Sequence, residues 1–357
     1  MPIVPLFGHR SLRERLSHAR ASGSLPQSLL FHGPVGVGKQ RLALWLAQSL
    51  VCERPDAPCE ECRHCRYVRE LSHPDVTWAF PVPRPKDGDR DVDEIRAALQ
   101  VSARERAERH GLYPAPSGSD GIFIATVRAL VQQAAMSPAL ASRKVFIIGD
   151  ADRMVPQEGS EFAANAFLKL LEEPPRDTFI VLTTSAAGSL LPTIRSRVVA
   201  MRVPSLPERD IVAFLDDPTV ASQLAGVSLP TSKTDRIALA SGSPGRLLSS
   251  AETGAAASAA RAFLDAAIGG QQASILRTAF VQGASGARGA FSDVLDALTH
   301  QLHSHARDAT SQGNARSAVA ASRAAELVED AKLLAAGNVN PQLVSARLLR
   351  DMAALFA

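Results

Sequence analysis

The chain has no apolar run near the ~18 residues that a membrane-spanning helix needs. Its first ten residues, Met1 to Arg10, lack the apolar core of an export signal, so a cytoplasmic protein is expected. No cysteine lies outside one fourteen-residue window, and in a chain with no export signal that clustering favours metal over disulfides. Neither sign of charge dominates: 39 basic and 36 acidic residues leave a net +3, so composition makes no case for nucleic-acid binding, although a local basic face stays open. There is no internal repeat. The remainder is ordinary for a globular protein, with 46% hydrophobic and 21% charged residues. At roughly 150 residues per domain the 357 residues suggest two or three domains, each able to bury a sizeable core.

One further absence is local. Residues 33 to 40 read Gly-Pro-Val-Gly-Val-Gly-Lys-Gln. Gly33, Gly38 and Lys39 complete the phosphate-loop pattern G-x-x-x-x-G-K, with Gly36 between them. The next residue should be a Ser or Thr whose hydroxyl holds the Mg²⁺ of a bound nucleotide. It is Gln40, a poor Mg²⁺ ligand. The context is otherwise right. Ser28 to His32 reads as a strand and Arg41 to Val51 as a helix, so the glycine N–H groups and Lys39 can cradle phosphate at a helix N-terminus. The second half of such a site needs an Asp for the metal and then a Glu for water. After Ile147-Ile148 the chain offers Gly149 and Asp150. Asp150 and Asp152 read equally well as helix N-caps or as catalytic groups. Gln40 and Gly149 thus appear as two independent losses in one metal site.

Strands at 144–148 and 179–184 alternate with helices at 126–136 and 161–171, the last stopped by Pro174-Pro175. That rhythm predicts a mainly parallel sheet covered on both faces. Residues 81 to 120 read as a surface insertion: two polar Pro-rich patches (81–90 and 114–121) around a charged helix at 92–110. After Pro204 the pattern turns helical, at 207–215 and 235–240, and from 253 it is Ala-rich and helical to the end.

Cys52, Cys59, Cys62 and Cys65 have the spacing C-x6-C-x2-C-x2-C. Two C-x2-C turns suit a tetrahedral Zn²⁺, and four thiolates leave no open position, so a structural metal is expected. His64 lies inside the cluster but is not needed to complete the shell. Ser196-Arg197, after the strand ending in Thr183-Thr184, could present an arginine to a neighbour's γ-phosphate.

Together these residues resemble the clamp-loader branch of the AAA+ ATPases, from Phe7-Gly8 to about residue 250. The most specific piece is 163–175, Ala-Ala-Asn-Ala-Phe-Leu-Lys-Leu-Leu-Glu-Glu-Pro-Pro, close to the signature "AANALLKTLEEPP" of bacterial members. A four-cysteine module after the first helix is also typical of that family. Ser196-Arg197 matches its Ser-Arg-Cys motif, with Val198 for the Cys. The resemblance makes Arg197 an arginine finger acting in trans and puts Thr184 at the sensor-1 position. Gly242 to Gly245 matches the sensor-2 region, where Gly245 stands for the Arg of the hydrolysing tau/gamma subunits and Arg246 is out of register. Three losses with a retained finger look like the stator-type, non-hydrolysing members.

The resemblance implies an AAA+ P-loop domain (1–204) with an inserted zinc module (52–65), a small helical lid (205–252) and an all-α collar (253–357). It implies Zn as a structural cofactor, with ATP a doubtful ligand. The implied partners are tau/gamma and delta subunits in a hetero-oligomer, the sliding clamp, and primed DNA through the complex, with no membrane. The chain would then be part of a DNA polymerase III holoenzyme without an ATPase of its own. A tau/gamma-type ATPase with an unusual loop, or a zinc-containing DNA-binding scaffold on the same fold, are the alternative readings.

Overall fold

The computed structural model describes residues 2–82, 92–114, 116, 120–154, 161–227, 229–248, 250–281, 288–336 and 339–356. The chain splits into two compact units, Met1–Pro116 with Asp120–Ser249, and a second that carries Ser250–Ala357. The first runs α1 (Arg10–Ala21), β1 (Ser28–His32), α2 (Lys39–Val51), α3 (Arg63–Arg69), β2 (Val76–Ala79), α4 (Val92–Glu108), α5 (Ile124–Ala135), β3 (Lys144–Ile148), α6 (Glu161–Glu172), β4 (Thr178–Thr184), α7 (Pro192–Arg195) and β5 (Val199–Arg202). Three more helices follow: α8 (Glu208–Asp216), α9 (Pro218–Leu224) and α10 (Lys233–Ala240).

The five strands form one sheet in the order β2-β3-β4-β1-β5, and every pairing is parallel. Successive strand residues point to opposite faces, so a sheet covered on both sides needs continuous apolar strands. Leu29, Phe31, Val145, Ile147 and Val181 pack with Leu12 and Leu16 of α1 and with Leu42 and Leu46 of α2. Their neighbours Leu30, Phe146, Ile148, Ile180 and Leu182 pack on the other face with Leu130 of α5 and Phe167 of α6. The expected parallel sheet is therefore present. Two strands escaped the sequence reading. β5 is an edge strand with largely exposed residues, and β2 is short and carries a single large apolar residue at its centre, Trp78.

The stretch expected as a surface insertion differs most from that reading. Its Pro-rich residues 83–91, and 115 and 117–119, lie outside the described residues. Its base is closed by paired backbone bonds between Val82 and Gly121. Its helix α4 is not a surface appendage, because Ile95 and Leu99 enter the core beside α5. The i, i+4 spacing of those two residues on an otherwise charged helix is the signal that was available.

Residues after β5 build a separate small core from Leu206, Ile211, Phe214, Val220, Leu224, Ala240 and Leu247, joined by Val4 and Leu112. Asp217 starts α9 by accepting from the N–H groups of Thr219 (2.9 Å) and Val220 (3.0 Å). The second unit consists of α11 (Ser250–Gly269), α12 (Gln272–Val281), α13 (Arg288–Ser311), α14 (Ala315–Ala336) and α15 (Pro341–Phe356). Its core mixes Phe263, Phe291 and Leu298 with many alanines, such as Ala260, Ala321 and Ala324. Alanine gives these helices high intrinsic propensity. Among the described residues no helix is long and apolar enough to cross a membrane.

One carboxylate fixes the far edge of the sheet. Asp75 precedes β2 and accepts from the backbone N–H groups of Ala139 (2.6 Å), Leu140 (2.7 Å) and Ala141 (2.6 Å) at the turn into β3. Burial pushes its pKa up, but the three N–H donors outweigh that and hold it below the usual value. Its stabilisation is therefore present above the unfolded-state pKa of about 3.9 and is lost as pH falls through the lower folded value. Asp75→Asn replaces one accepting oxygen by a donor and should cost about 1.5–3 kcal/mol in urea unfolding at pH 7. The gap from wild type should shrink below about pH 4; a gap independent of pH would contradict this account.

Candidate functional site

The phosphate loop leaves β1 and enters α2. Gly38, with φ of 98°, sits in the left-handed region at the helix start. Gly33 runs so close to β5's exit that a Cβ there would lie 2.2 Å from the Val203 carbonyl oxygen. Lys39 is buried and turns back on its own loop, donating to the carbonyls of Gly33 (2.9 Å) and Pro34 (2.8 Å). Burial pushes its pKa down to about 8, against the pull of Asp150 and Asp152. His9 closes the loop from the side, with Nε2 2.9 Å from the Val37 carbonyl, so Nε2 carries the proton.

Gln40 is held by protein groups on both its oxygen and its nitrogen. Its Oε1 accepts from Trp78 Nε1 (2.9 Å) and Tyr113 Oη (3.1 Å), and its Nε2 donates to Asp150 Oδ2 (2.9 Å). The amide lies directly over Gly149: a Cβ there would come 2.4 Å from Gln40 Oε1 and 2.5 Å from Cδ. Gln40 and Gly149 are therefore not two independent losses. The Gln40 amide fills space that any side chain at 149 would require, so in this conformation Gln40 depends on Gly149. Arg106 of α4 stacks over Trp78, Phe80 and Tyr113, with its guanidinium carbon 4.5, 3.2 and 3.7 Å from the ring centres. Burial lowers its pKa.

The acidic pair sits in the turn after β3. Asp150 has φ of 50°, and its N–H donates to Thr183 Oγ1 (3.1 Å). Burial and the neighbouring Asp152 raise its pKa. Thr184 Oγ1 donates to Asp152 Oδ1 (2.5 Å) and accepts from the Ala186 N–H (2.9 Å). Both carboxylates thus take side-chain donors. Opposite them, the Gly245 N–H donates to the Gly36 carbonyl (2.9 Å), and a Cβ at Gly245 would fall 2.7 Å from Gly36 Cα. The backbone after α10 lies flat on the phosphate loop, with no room for an arginine side chain at position 245.

Arg197 is on the surface after α7. Its Nε (2.9 Å) and Nη2 (2.5 Å) donate to Glu172 Oε1, and its Nη1 donates to the Thr193 carbonyl (2.7 Å) and Ser196 Oγ (3.2 Å). Trp78, Arg106, Tyr113 and Glu172 were missed in the sequence reading. A signal existed for two of them: the chain has only two Trp and two Tyr, and one of each binds Gln40.

The four cysteines converge between α2 and α3. Their sulfurs all lie within 4.8 Å of one another, with Cys59–Cys65 at 3.9 Å and Cys52–Cys62 at 4.0 Å. A tetrahedron with bonds of about 2.3 Å has edges of about 3.8 Å, so the cluster fits one metal ion. The Cys62 N–H donates to Cys59 Sγ (3.4 Å) and the Cys65 N–H to Cys62 Sγ (3.5 Å). His64 turns both ring nitrogens elsewhere, to His73 Nε2 (2.8 Å) and Glu53 Oε1 (2.8 Å). His73 Nδ1 accepts from the Asp75 N–H (3.0 Å), which links this module to the start of β2.

Comparison with known proteins fits this arrangement. The chain is 30% identical to the DNA polymerase III subunit delta' of Bacillus subtilis over 226 residues, covering 62% of this chain and 53% of that one. It is 31% identical to the subunit delta' of Pseudomonas aeruginosa over 194 residues (53% and 44%). It is 33% identical to the subunit gamma/tau of Mycobacterium tuberculosis over 212 residues (59% and 30%). The aligned region thus spans about half the length of the delta' relatives. The family described as "DNA polymerase III, delta subunit" matches residues 8–207, more than half of the chain, and the chain belongs to that family, with its delta' members among its relatives.

Proposed function

We propose that this chain is a non-hydrolysing, delta'-like AAA+ subunit of a DNA polymerase III clamp loader. In this reading it assembles with tau/gamma and delta subunits and supports ATP-driven loading of the sliding clamp on primed DNA. The helices between 205 and 252 serve as its lid and those from 253 to 357 as its collar. Arg197 acts in trans, as an arginine finger on a neighbour's ATP. The observation that carries the reading is the Gln40 amide packed on Gly149 and tied to Trp78, Tyr113 and Asp150. A nucleotide-bound Mg²⁺ needs a hydroxyl from the phosphate loop and a carboxylate after β3. Here a neutral amide stands in place of the first, and the position expected to supply the second is Gly149, whose side-chain space the Gln40 amide fills, leaving Asp150 one residue further on and bonded to that amide. The Gly245 backbone on Gly36 adds a second obstacle to a nucleotide. The likeness to gamma/tau subunits supports a shared ancestry of fold; these substitutions argue against a shared hydrolytic role.

Zn²⁺ is the metal we assign to Cys52, Cys59, Cys62 and Cys65. When bound it supplies a structural cross-link between the end of α2 and the start of α3, worth on the order of 10 kcal/mol to local folding. Fresh reduced protein should contain one zinc per chain by elemental analysis, and none would refute the assignment.

The isolated chain should show no ATP turnover, and Lys39→Ala should leave that baseline unchanged. Turnover abolished by Lys39→Ala would refute the non-hydrolysing reading. In a complex reconstituted with a tau/gamma-type ATPase, Arg197→Ala should lower turnover while assembly by gel filtration stays intact. The Gln40–Gly149 pairing has its own test in stability. Gly149→Ala should cost about 1–3 kcal/mol through overpacking. Most of that cost should vanish in a Gln40→Ala background, whereas additive losses would separate the two residues.

A further inference from the structure

We propose that Glu172 is the positioning residue of Arg197, an inference that rests on the arginine-finger reading above. Arg197 has five N–H donors. Two of them meet a single oxygen, Glu172 Oε1, and two more meet the Thr193 carbonyl and Ser196 Oγ. One Nη2–H is left to point away from this cradle. The pair is half open to solvent, with side-chain exposures of 32% for Arg197 and 46% for Glu172. An ion pair so exposed contributes little to stability, so the fold itself has small need of it. What it does is hold a long, rotamer-rich side chain in one orientation before any ligand arrives.

The carboxylate is well placed for that task. It ends α6, which is anchored by the buried side chains of Phe167, Leu170 and Leu171. The arginine follows α7, whose Ile194 is buried in the same core. Two elements rooted in one core therefore meet at the surface through this contact alone among their described polar side chains. A guanidinium fixed in this way presents its free N–H to a phosphate oxygen of a neighbouring subunit without first losing its rotamer freedom. Ser196 assists, since its hydroxyl accepts from Arg197 while donating to the Thr193 carbonyl (3.1 Å).

The test uses the reconstituted complex, with ATP turnover measured over a range of ATP concentrations and assembly checked by gel filtration. Glu172→Ala should lower kcat about five- to tenfold with little change in the KM for ATP, because the freed side chain must be ordered in each cycle. Glu172→Gln keeps an accepting oxygen and should stay within about twofold of wild type. Glu172→Ala added to Arg197→Ala should cause no further loss. If Arg197→Ala slows turnover but Glu172→Ala does not, the positioning role is overturned and the finger reading survives. If Arg197→Ala has no effect, the finger reading falls and this inference falls with it. An additional loss in the double variant, or a Gln variant as slow as the Ala variant, would also overturn the positioning role.

Discussion

A side-chain amide packed against protein must find partners for both its oxygen and its nitrogen, and at the half-buried Gln40 that demand links four separate segments. The oxygen is met by Trp78 from β2 and by Tyr113 from the stretch after α4; the nitrogen is met by Asp150 after β3. The amide itself is carried by the first turn of α2. The oxygen keeps one donor if either Trp78 or Tyr113 is lost, whereas among the described residues the nitrogen bonds the Asp150 carboxylate alone. Helix α4, rooted in the core by Ile95 and Leu99, also joins this network, because Arg106 rests on the same aromatic rings that hold the amide. The empty side-chain position at Gly149 belongs to it as well.

Much of the frame could be read from the sequence because burial on both faces writes itself as apolar runs. Leu29-Leu30-Phe31 and Phe146-Ile147-Ile148 show this, with alternate residues entering opposite cores. The cysteine spacing was equally plain, since a C-x2-C turn is a local geometry. The contacts around Gln40 were not legible. They join residues 38, 73 and 110 positions apart, and nothing in local periodicity encodes such a meeting. The same holds for Glu172 and Arg197, which are 25 positions apart. Each belonged to a recognisable motif, yet neither motif showed that it touched the other.

The two halves of the chemistry sit in contrasting surroundings. At the phosphate loop the side chains of Lys39, Gln40, Asp150 and Asp152 all bond other protein groups. At Arg197 the protein leaves a cation at the surface and keeps one of its N–H groups unspent. An inward-facing site binds itself, while an outward-facing one awaits another molecule. In the role proposed above, that contrast would separate a chain that consumes nucleotide from one that acts on a nucleotide held elsewhere.

Lys39 carries a quieter consequence. In a loop shaped by phosphate, the loop's form follows the supply of nucleotide. Here the ammonium is held by the Gly33 and Pro34 carbonyls, so the loop's own backbone supplies the acceptors that Lys39 uses. Any phosphate entering the loop would have to draw that ammonium away from two carbonyls, so anion binding here carries a rearrangement cost.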